Sequence, residues 1–364
     1  MQIGCSRMKL SSQMTERPGD LETGFSSDEI NKTHAVLSKF PTGSQVSLAK
    51  VIDGRPYFYG AINRDGDIDS IDNAHHIFDI GSVAKVLTSA LLAQSVVEGK
   101  LCLDDDIAPY LGIALRGDAK ISFRQLSNHT SGLPRLPPGL VWNALFKNSD
   151  NPYKDFDESS LLNYLQHQLK QKKTDKSRYS NLGAGLLGYT LSRINQCSFE
   201  ALLQKELCGP LELNSTTTER TKSRDKLVIG QDKKGKQIPF WDTASLTGAG
   251  GIYSNVTDLT TFLLANFAPS NKALQIQQQL THEINKQVSV ALGWLFIRPL
   301  SESSQPFYWH SGGTSGFSSH LLMNSETKSG LVLLSNISSM YLLKGRHLEN
   351  LAFSLFKNTQ TARS

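Results

Sequence analysis

Residues 82–98 constrain the fold of this chain more than any other segment. Wound as a helix, Val83, Ala84, Val86, Leu87, Ala90, Leu91, Leu92, Val96 and Val97 cover most of its circumference, and Gly99 closes the run. A helix that is apolar nearly all round has no face to give to water and must be enclosed by other elements. A chain of 364 residues is long enough to enclose it, and its length is compatible with two or three domains.

The flanking patterns supply the enclosing elements. A helix is predicted over residues 27–40, with Ser27 as N-cap and Ile30, Val36 and Leu37 on one face. Residues 46–52 and 56–62 read as strands around Asp53-Gly54, a two-residue hairpin turn. From about 104 to 245 the texture is helical and loop-rich, with helices expected at 161–169 and 182–194. Strand-like runs return at 251–253, 288–296, 307–309, 318–323 and 331–334, and an amphipathic helix is expected over 345–356. Strands at both ends with helices between them imply an α/β chain of the α+β kind. The expected architecture is an antiparallel sheet flanked by helices and built from both chain ends, with an inserted all-helical domain. The expected boundaries are a disordered tail at 1–25, a sheet domain from 26–104 and 246–364, and a mainly helical insert at 105–245.

Composition narrows the function classes. With 39% hydrophobic and 20% charged residues the chain reads as an ordinary soluble globular protein. The formal charge of +5 sits mostly in polar stretches at 170–178 and 221–236, without the interleaved aromatics of a nucleic-acid platform. Cys5, Cys102, Cys197 and Cys208 lack metal spacing, and His75-His76 is an isolated pair. No apolar run approaches the ~18 residues of a membrane span. The polar first twenty residues carry no secretory h-region, so the expected compartment for the chain as written is cytoplasmic. Gly4-Cys5-Ser6 would suit a lipoprotein cleavage site only if the start lay upstream of Met1, which would make the chain periplasmic or lipid-anchored.

The chemistry is concentrated where the buried helix begins. Serine is a weak nucleophile until a neighbour takes its proton. Ser-x-x-Lys on a helix places the two side chains on one face, one turn apart. At a helix N-terminus the dipole favours a developing oxyanion and disfavours a charged lysine. Ser82-Val83-Ala84-Lys85 meets these conditions. The same spacing at Ser6/Lys9, Ser223/Lys226 and Ser325/Lys328 falls in polar loops or tails. Ser47/Lys50 falls in a strand, where i and i+3 face opposite ways, and Ser354/Lys357 falls inside the terminal helix.

Four further segments follow in order. They are LSNHTSGLP at 126–134, Tyr179-Ser180-Asn181 leading into LGAGLLGYTLSRI, GAGGIYSNVTD at 248–258, and HSGGTSGF at 310–317. Together with Ser82 and Lys85, this series resembles the class C β-lactamases and related D,D-peptidases, over roughly residues 40–355. The resemblance implies a β-lactamase/transpeptidase-like fold and a serine hydrolase of small-molecule or peptide substrates, needing no metal or cofactor. It implies that Tyr179 joins Ser82 and Lys85 as a proton-transfer group and that Asn181 binds a substrate amide. His310, Ser311, Gly312 and Gly313 would form the substrate-binding strand, with the backbone N–H groups of Ser82 and Gly313 as oxyanion hole. Whether Lys85 or Tyr179 is the first base stays open at this stage.

Two departures and three decoys accompany the resemblance. His310 stands where β-lactamases carry lysine, and Ser311 where they carry threonine, which shifts the expected substrate from β-lactams toward peptides, amides or esters. Tyr253-Ser254-Asn255 repeats the Tyr-x-Asn pattern but reads as a strand-to-helix junction. Ser149-Asp150-Asn151 imitates the triplet of class A β-lactamases, and Lys328-Ser329-Gly330 reads as a polar turn. His129 and Trp309 are expected to be packing residues. The competing function is a non-catalytic module that binds cell-wall peptides or a protein partner, a role in which Ser82, Lys85 and Tyr179 need not all be kept.

Overall fold

The computed structural model describes residues 24–137, 140, 151, 153–172, 176–223, 225–299, 305–338 and 345–361. Of the expected tail at 1–25, residues 1–23 (Cys5 among them) lie outside them, as do the decoy residues Ser149 and Asp150, while Phe25 is buried in the core rather than part of a disordered tail.

A nine-stranded sheet runs in the order β3-β2-β1-β11-β10-β9-β8-β7-β6. Its strands are β1 (Gln45–Ile52), β2 (Arg55–Arg64), β3 (Asp67–Ser70), β6 (His282–Asn285), β7 (Val288–Val290), β8 (Leu295–Ile297), β9 (Phe307–Gly313), β10 (Ser318–Asn324) and β11 (Ser329–Ser335). Every pairing is antiparallel. Because β1 pairs with β11, the first and last strands lie side by side and both chain ends build the sheet. A separate two-stranded ladder joins β4 (Phe78–Asp79) to β5 (Tyr253–Ser254).

Period-two alternation fixes what each sheet face meets. Val46, Leu48, Leu322, Leu331 and Leu333 pack with Leu37 of α1 (Ser27–Leu37) and Leu351 and Leu355 of the C-terminal helix (Gly345–Thr361). Their neighbours Ala49, Val51, Leu321, Met323, Val332 and Leu334 face the other way, into the core that holds α2 (Ala84–Val97). That core also takes Leu126, Leu161, Leu182, Leu187 and Leu203 from the helical middle of the chain. The enclosure that the apolar helix requires therefore comes from one sheet face together with the segment between the strands.

Local chemistry explains where elements start and stop. The first helix is capped by Ser26, not Ser27: the Ser26 side chain accepts from the Glu29 N–H and Glu29 accepts from the Ser26 N–H. It ends at Leu37, short of the expected residue 40. Glu29 is buried and ion-paired with Lys50 of β1 at 2.7 Å, and Asn358 of the last helix donates to it at 3.0 Å. The Asp53-Gly54 hairpin holds both residues at positive φ, 50° and 78°, as a primed turn requires.

The run at 288–296, expected as one strand, is a hairpin of β7 and β8. Gly293 turns it at φ 74°, where a Cβ would lie 2.8 Å from the Lys85 carbonyl oxygen and 2.6 Å from Ser89 Oγ. Edge strands β3 and β6 are mostly exposed and polar, so no apolar alternation announces them. The helix expected at 161–169 runs as Glu158–Asn163 continued by a wider turn over Tyr164–Gln168, and the last helix extends to Thr361. Among the described residues, no helix is long and apolar enough to cross a membrane, and no group of three potential metal ligands converges.

Candidate active site

The turn carrying Ser82 is held from three sides. Strand β4 delivers Asp79, whose Oδ1 accepts the Gly81 N–H at 2.9 Å, and Ser319 Oγ of β10 donates to the Ile80 carbonyl at 2.7 Å. Gly81 sits at φ 49°, and a Cβ on it would lie 2.7 Å from the Gly313 nitrogen. A Cβ on Gly312 would lie 2.1 Å from the Ile80 oxygen and 2.9 Å from the Ser82 nitrogen. The turn and the end of β9 are in backbone contact, and glycine is the residue that permits it. Ser82 occupies the short 3₁₀ turn Gly81–Val83, and Lys85 follows in the first turn of α2.

Ser82 Oγ is the meeting point. Lys85 Nζ donates to it at 2.9 Å, and Tyr179 OH donates to it at 2.6 Å. Lys85 also donates to the Ala249 carbonyl at 2.6 Å, and its ammonium lies 4.9 Å from the centroid of the Tyr179 ring. Burial holds the Lys85 amine below the usual lysine range, with Tyr179 opposing that effect. Tyr179 is 37% exposed and faces the cleft. It precedes Ser180, which caps α4 (Asn181–Ile194) by accepting the Gly183 N–H; α3, the five-residue Phe123–Ser127, precedes the turn carrying His129.

Two lobes meet at Ser82. The larger, of about 380 Å³, is lined by Ser82, His129, Arg135, Tyr179, Val290, Trp294, His310 and Ser311, and by the backbone of Gly312 and Gly313. The smaller, of about 40 Å³, is lined by Ser82, Tyr153, Asn181, Trp241 and Gly313. In that lobe Asn181 Nδ2 reaches Tyr153 OH at 3.3 Å, while Asn181 Oδ1 and Trp241 Nε1 are buried without a protein partner.

The imidazoles of the cleft are neutral. His310 is buried, its Nδ1 pairs with the Ser311 carbonyl at 2.8 Å, and desolvation pushes its pKa down to about 3, helped by Lys85. His129 is driven down to about 3 by the same causes, burial first and then Lys85 and His310. Its Nδ1 accepts the Ser180 N–H at 3.3 Å, and its ring lies 4.8 Å from that of Tyr179. His129 is therefore both packed, as expected, and part of the cleft wall. Trp309 packs on Phe353 at the opposite sheet face.

The structure brings Ser82, Lys85, Tyr179, His310, Ser311, Gly312 and Gly313 together, and puts Asn181 in the adjoining lobe. The decoys fall elsewhere. Tyr253 is buried in β5 against Phe240, where desolvation raises its phenol, and Asn255 caps α5 (Val256–Asn266). Lys328 turns the β10–β11 hairpin at φ 50°. A larger surface groove of about 790 Å³, lined in part by Tyr189, Arg193 and Phe199, contains neither Ser82 nor Lys85. Sequence reading did not find Arg135, Tyr153, Trp241 and Trp294. Arg135 was the most accessible to it, since it directly follows the LSNHTSGLP segment.

The Beta-lactamase family model matches residues 38–352. The chain belongs to that family. A β-lactamase of Providencia stuartii is 25% identical over 333 residues, covering 80% of this chain and 82% of that protein. Protein flp of Staphylococcus aureus strain N315 is 24% identical over 285 residues, 73% of this chain and 54% of that protein. The chain thus spans about half the length of that relative. A class C β-lactamase from Rhodobacter sphaeroides superposes with a TM-score of 0.74 at 20% identity, covering 90% of this chain and 98% of that one. A β-lactamase/D-alanine carboxypeptidase from Pseudomonas syringae gives 0.74 at 20% identity, over 92% and 98%. The fold is that of the β-lactamase/transpeptidase group.

Proposed function

We propose that this protein is a serine hydrolase of small amide or ester substrates, working through an acyl-enzyme on Ser82. The observation that carries this reading is the convergence of Lys85 Nζ and Tyr179 OH on Ser82 Oγ, at 2.9 and 2.6 Å. In the reacting state one of the two is deprotonated and takes the Ser82 proton, and burial, which holds the Lys85 amine below the usual lysine range, favours that exchange at Lys85. The pair is best treated as one titrating unit.

The oxygen of Ser82 then bonds to the substrate carbonyl carbon. The carbonyl oxygen takes up negative charge and is met by the Ser82 and Gly313 N–H groups, whose backbones the Gly81–Gly312 contact holds together. Collapse of this intermediate expels the leaving group, which receives the proton just removed, through Tyr179. Water attacks the acyl-enzyme by the reverse route and frees Ser82. Asn181 is assigned to a substrate amide, which its unpartnered Oδ1 supports.

His310 supports the turn away from β-lactams. A lysine there would be a cation, whereas burial leaves this imidazole uncharged down to about pH 3. Peptide, amide and ester substrates fit the site better than an efficiently hydrolysed penicillin. Intact mass after incubation with penicillin, p-nitrophenyl esters and a fluorophosphonate tests the reading. An adduct on the native protein that is absent from Ser82→Ala is expected. A folded protein that takes no adduct from any probe is a binding module instead.

A further inference from the structure

The cleft contains an arginine that the mechanism does not use. Arg135 lines the larger lobe, and its Cζ lies 5.5 Å from the centroid of the Tyr179 ring. Its main chain is fixed: the Arg135 carbonyl accepts the N–H groups of Asn181 and Leu182 at 3.0 and 3.2 Å, where α4 begins. Arg64, Arg124, Arg193 and Arg220 each face a carboxylate. Among the described residues none is paired with Arg135, and neither lobe is lined by Asp or Glu. Its interaction with Tyr179 is through the ring face, so the N–H edges of the guanidinium remain available.

We propose that Arg135 is the specificity-determining residue of the cleft and binds a carboxylate of the substrate in the larger lobe. Guanidinium presents paired N–H donors that match a carboxylate edge. The other cation nearby, Lys85, is committed to Ser82 Oγ and the Ala249 carbonyl. The strand position at 310 supplies an uncharged imidazole. Val290, Trp294 and Leu295 form an apolar part of the wall, and Arg135 is itself exposed, so its guanidinium is open to an incoming ligand. Binding the anion beside Tyr179 would hold the carboxylate-bearing half of the substrate next to the group assigned to protonate the leaving group.

This assignment rests on the hydrolase reading, and the test separates the two. Hydrolysis of 3-carboxyphenyl phenylacetate is compared with that of phenyl phenylacetate, and benzoate binding with benzamide binding, in the native protein, Arg135→Gln and Arg135→Lys. The native protein is expected to favour the carboxylate ester in kcat/KM by about tenfold or more, the range of a charge-assisted hydrogen bond. Arg135→Gln should bring that ratio to within about twofold of unity, and Arg135→Lys should restore part of it. A native ratio near unity, or a ratio unchanged in Arg135→Gln, overturns the assignment. If neither ester is hydrolysed, the binding arm decides. Benzoate bound selectively by the native protein and lost in Arg135→Gln upholds Arg135, and the adduct test with the fluorophosphonate then decides the hydrolase reading. Benzoate binding indifferent to the substitution overturns the assignment.

Discussion

Lys85 Nζ and the carbonyl oxygen of Ala249 are hydrogen-bonded at 2.6 Å, which ties the base of the buried helix to the glycine-rich segment before β5. This bond fixes the amine beside Ser82 Oγ and leaves it few ways to move. Lys85→Met should lower kcat about 10²–10⁴-fold, the usual contribution of a positioned proton-transfer group. It should also lower stability by about 1–3 kcal/mol, because the Ala249 carbonyl loses its partner. Steady-state kinetics and a melting curve on the same preparation check both; retained kcat would assign the base to Tyr179 alone.

Tyr179→Phe removes a hydroxyl that touches Ser82, whereas Tyr253→Phe removes one buried in β5. The first should cut kcat about 10²–10⁴-fold, and the second should act mainly on stability. Parallel turnover measurements decide between them. Equal losses in kcat would mean that the wrong Tyr-Ser-Asn carries the chemistry.

Gly312→Ala should disable the site more than it destabilises the fold. The added carbon would lie 2.1 Å from the Ile80 oxygen, so the turn carrying Ser82 and β9 must separate. A loss of one oxyanion donor alone is worth about 10²–10³ in kcat. Turnover kinetics on the folded variant test this, and wild-type kcat would show that the close approach is dispensable.

Acid should destabilise the protein through its buried histidines. His129 and His310 are held down to about 3 and His320 to about 4, all by burial, against an ordinary value of 6.5. Below pH 6.5 the unfolded chain binds protons that the folded chain refuses, so this stabilisation is present above 6.5 and is lost as pH falls toward the folded values. Each histidine adds at most about 1.4 kcal/mol of lost stability per pH unit in that window. Asp79 works in the opposite sense. Burial raises it to about 7, so its contribution is full below the ordinary carboxylate range and fades as pH rises through 7. With His34 also lowered by burial, four histidines stand against two raised carboxyls, Asp79 and Asp258, and predict a melting temperature that falls from pH 6.5 to 4. His320→Gln should flatten that fall, and an unchanged slope would place the acid sensitivity elsewhere.

Trp241→Phe keeps an aromatic ring but removes the five-membered ring bearing the Nε1–H that is buried without a protein partner in the smaller lobe. It should raise KM for amide-bearing acyl groups by about tenfold while sparing simple acetyl esters. Equal effects on the two substrate types would mean that the indole nitrogen meets no ligand.

Part of the candidate site was legible because its signals are local. Ser82 and Lys85 lie one helical turn apart at the start of an all-round apolar helix, whereas Tyr179 was reached through the family resemblance of its Tyr-Ser-Asn segment. The hairpin at Asp53-Gly54 was legible for the same reason. Arg135 and Trp241 were not, because lining a cleft is a property of tertiary packing rather than of residue type or period. The β7–β8 hairpin was missed because an apolar run hides its turn in Gly293, whose function is to let the chain pass close to α2. Edge strands β3 and β6 were missed because solvent-facing strands need no apolar alternation.

The contact between Gly81 and the β9 backbone has a consequence for the order of events during synthesis. The turn carrying Ser82 is translated before the helical middle of the chain, and β9, assigned to complete its oxyanion hole, emerges after it. Until Gly312 and Gly313 arrive, Ser82 can have its neighbouring lysine but not the second backbone donor. In the proposed mechanism the acylating centre is therefore completed only when β9 docks against the Ser82 turn.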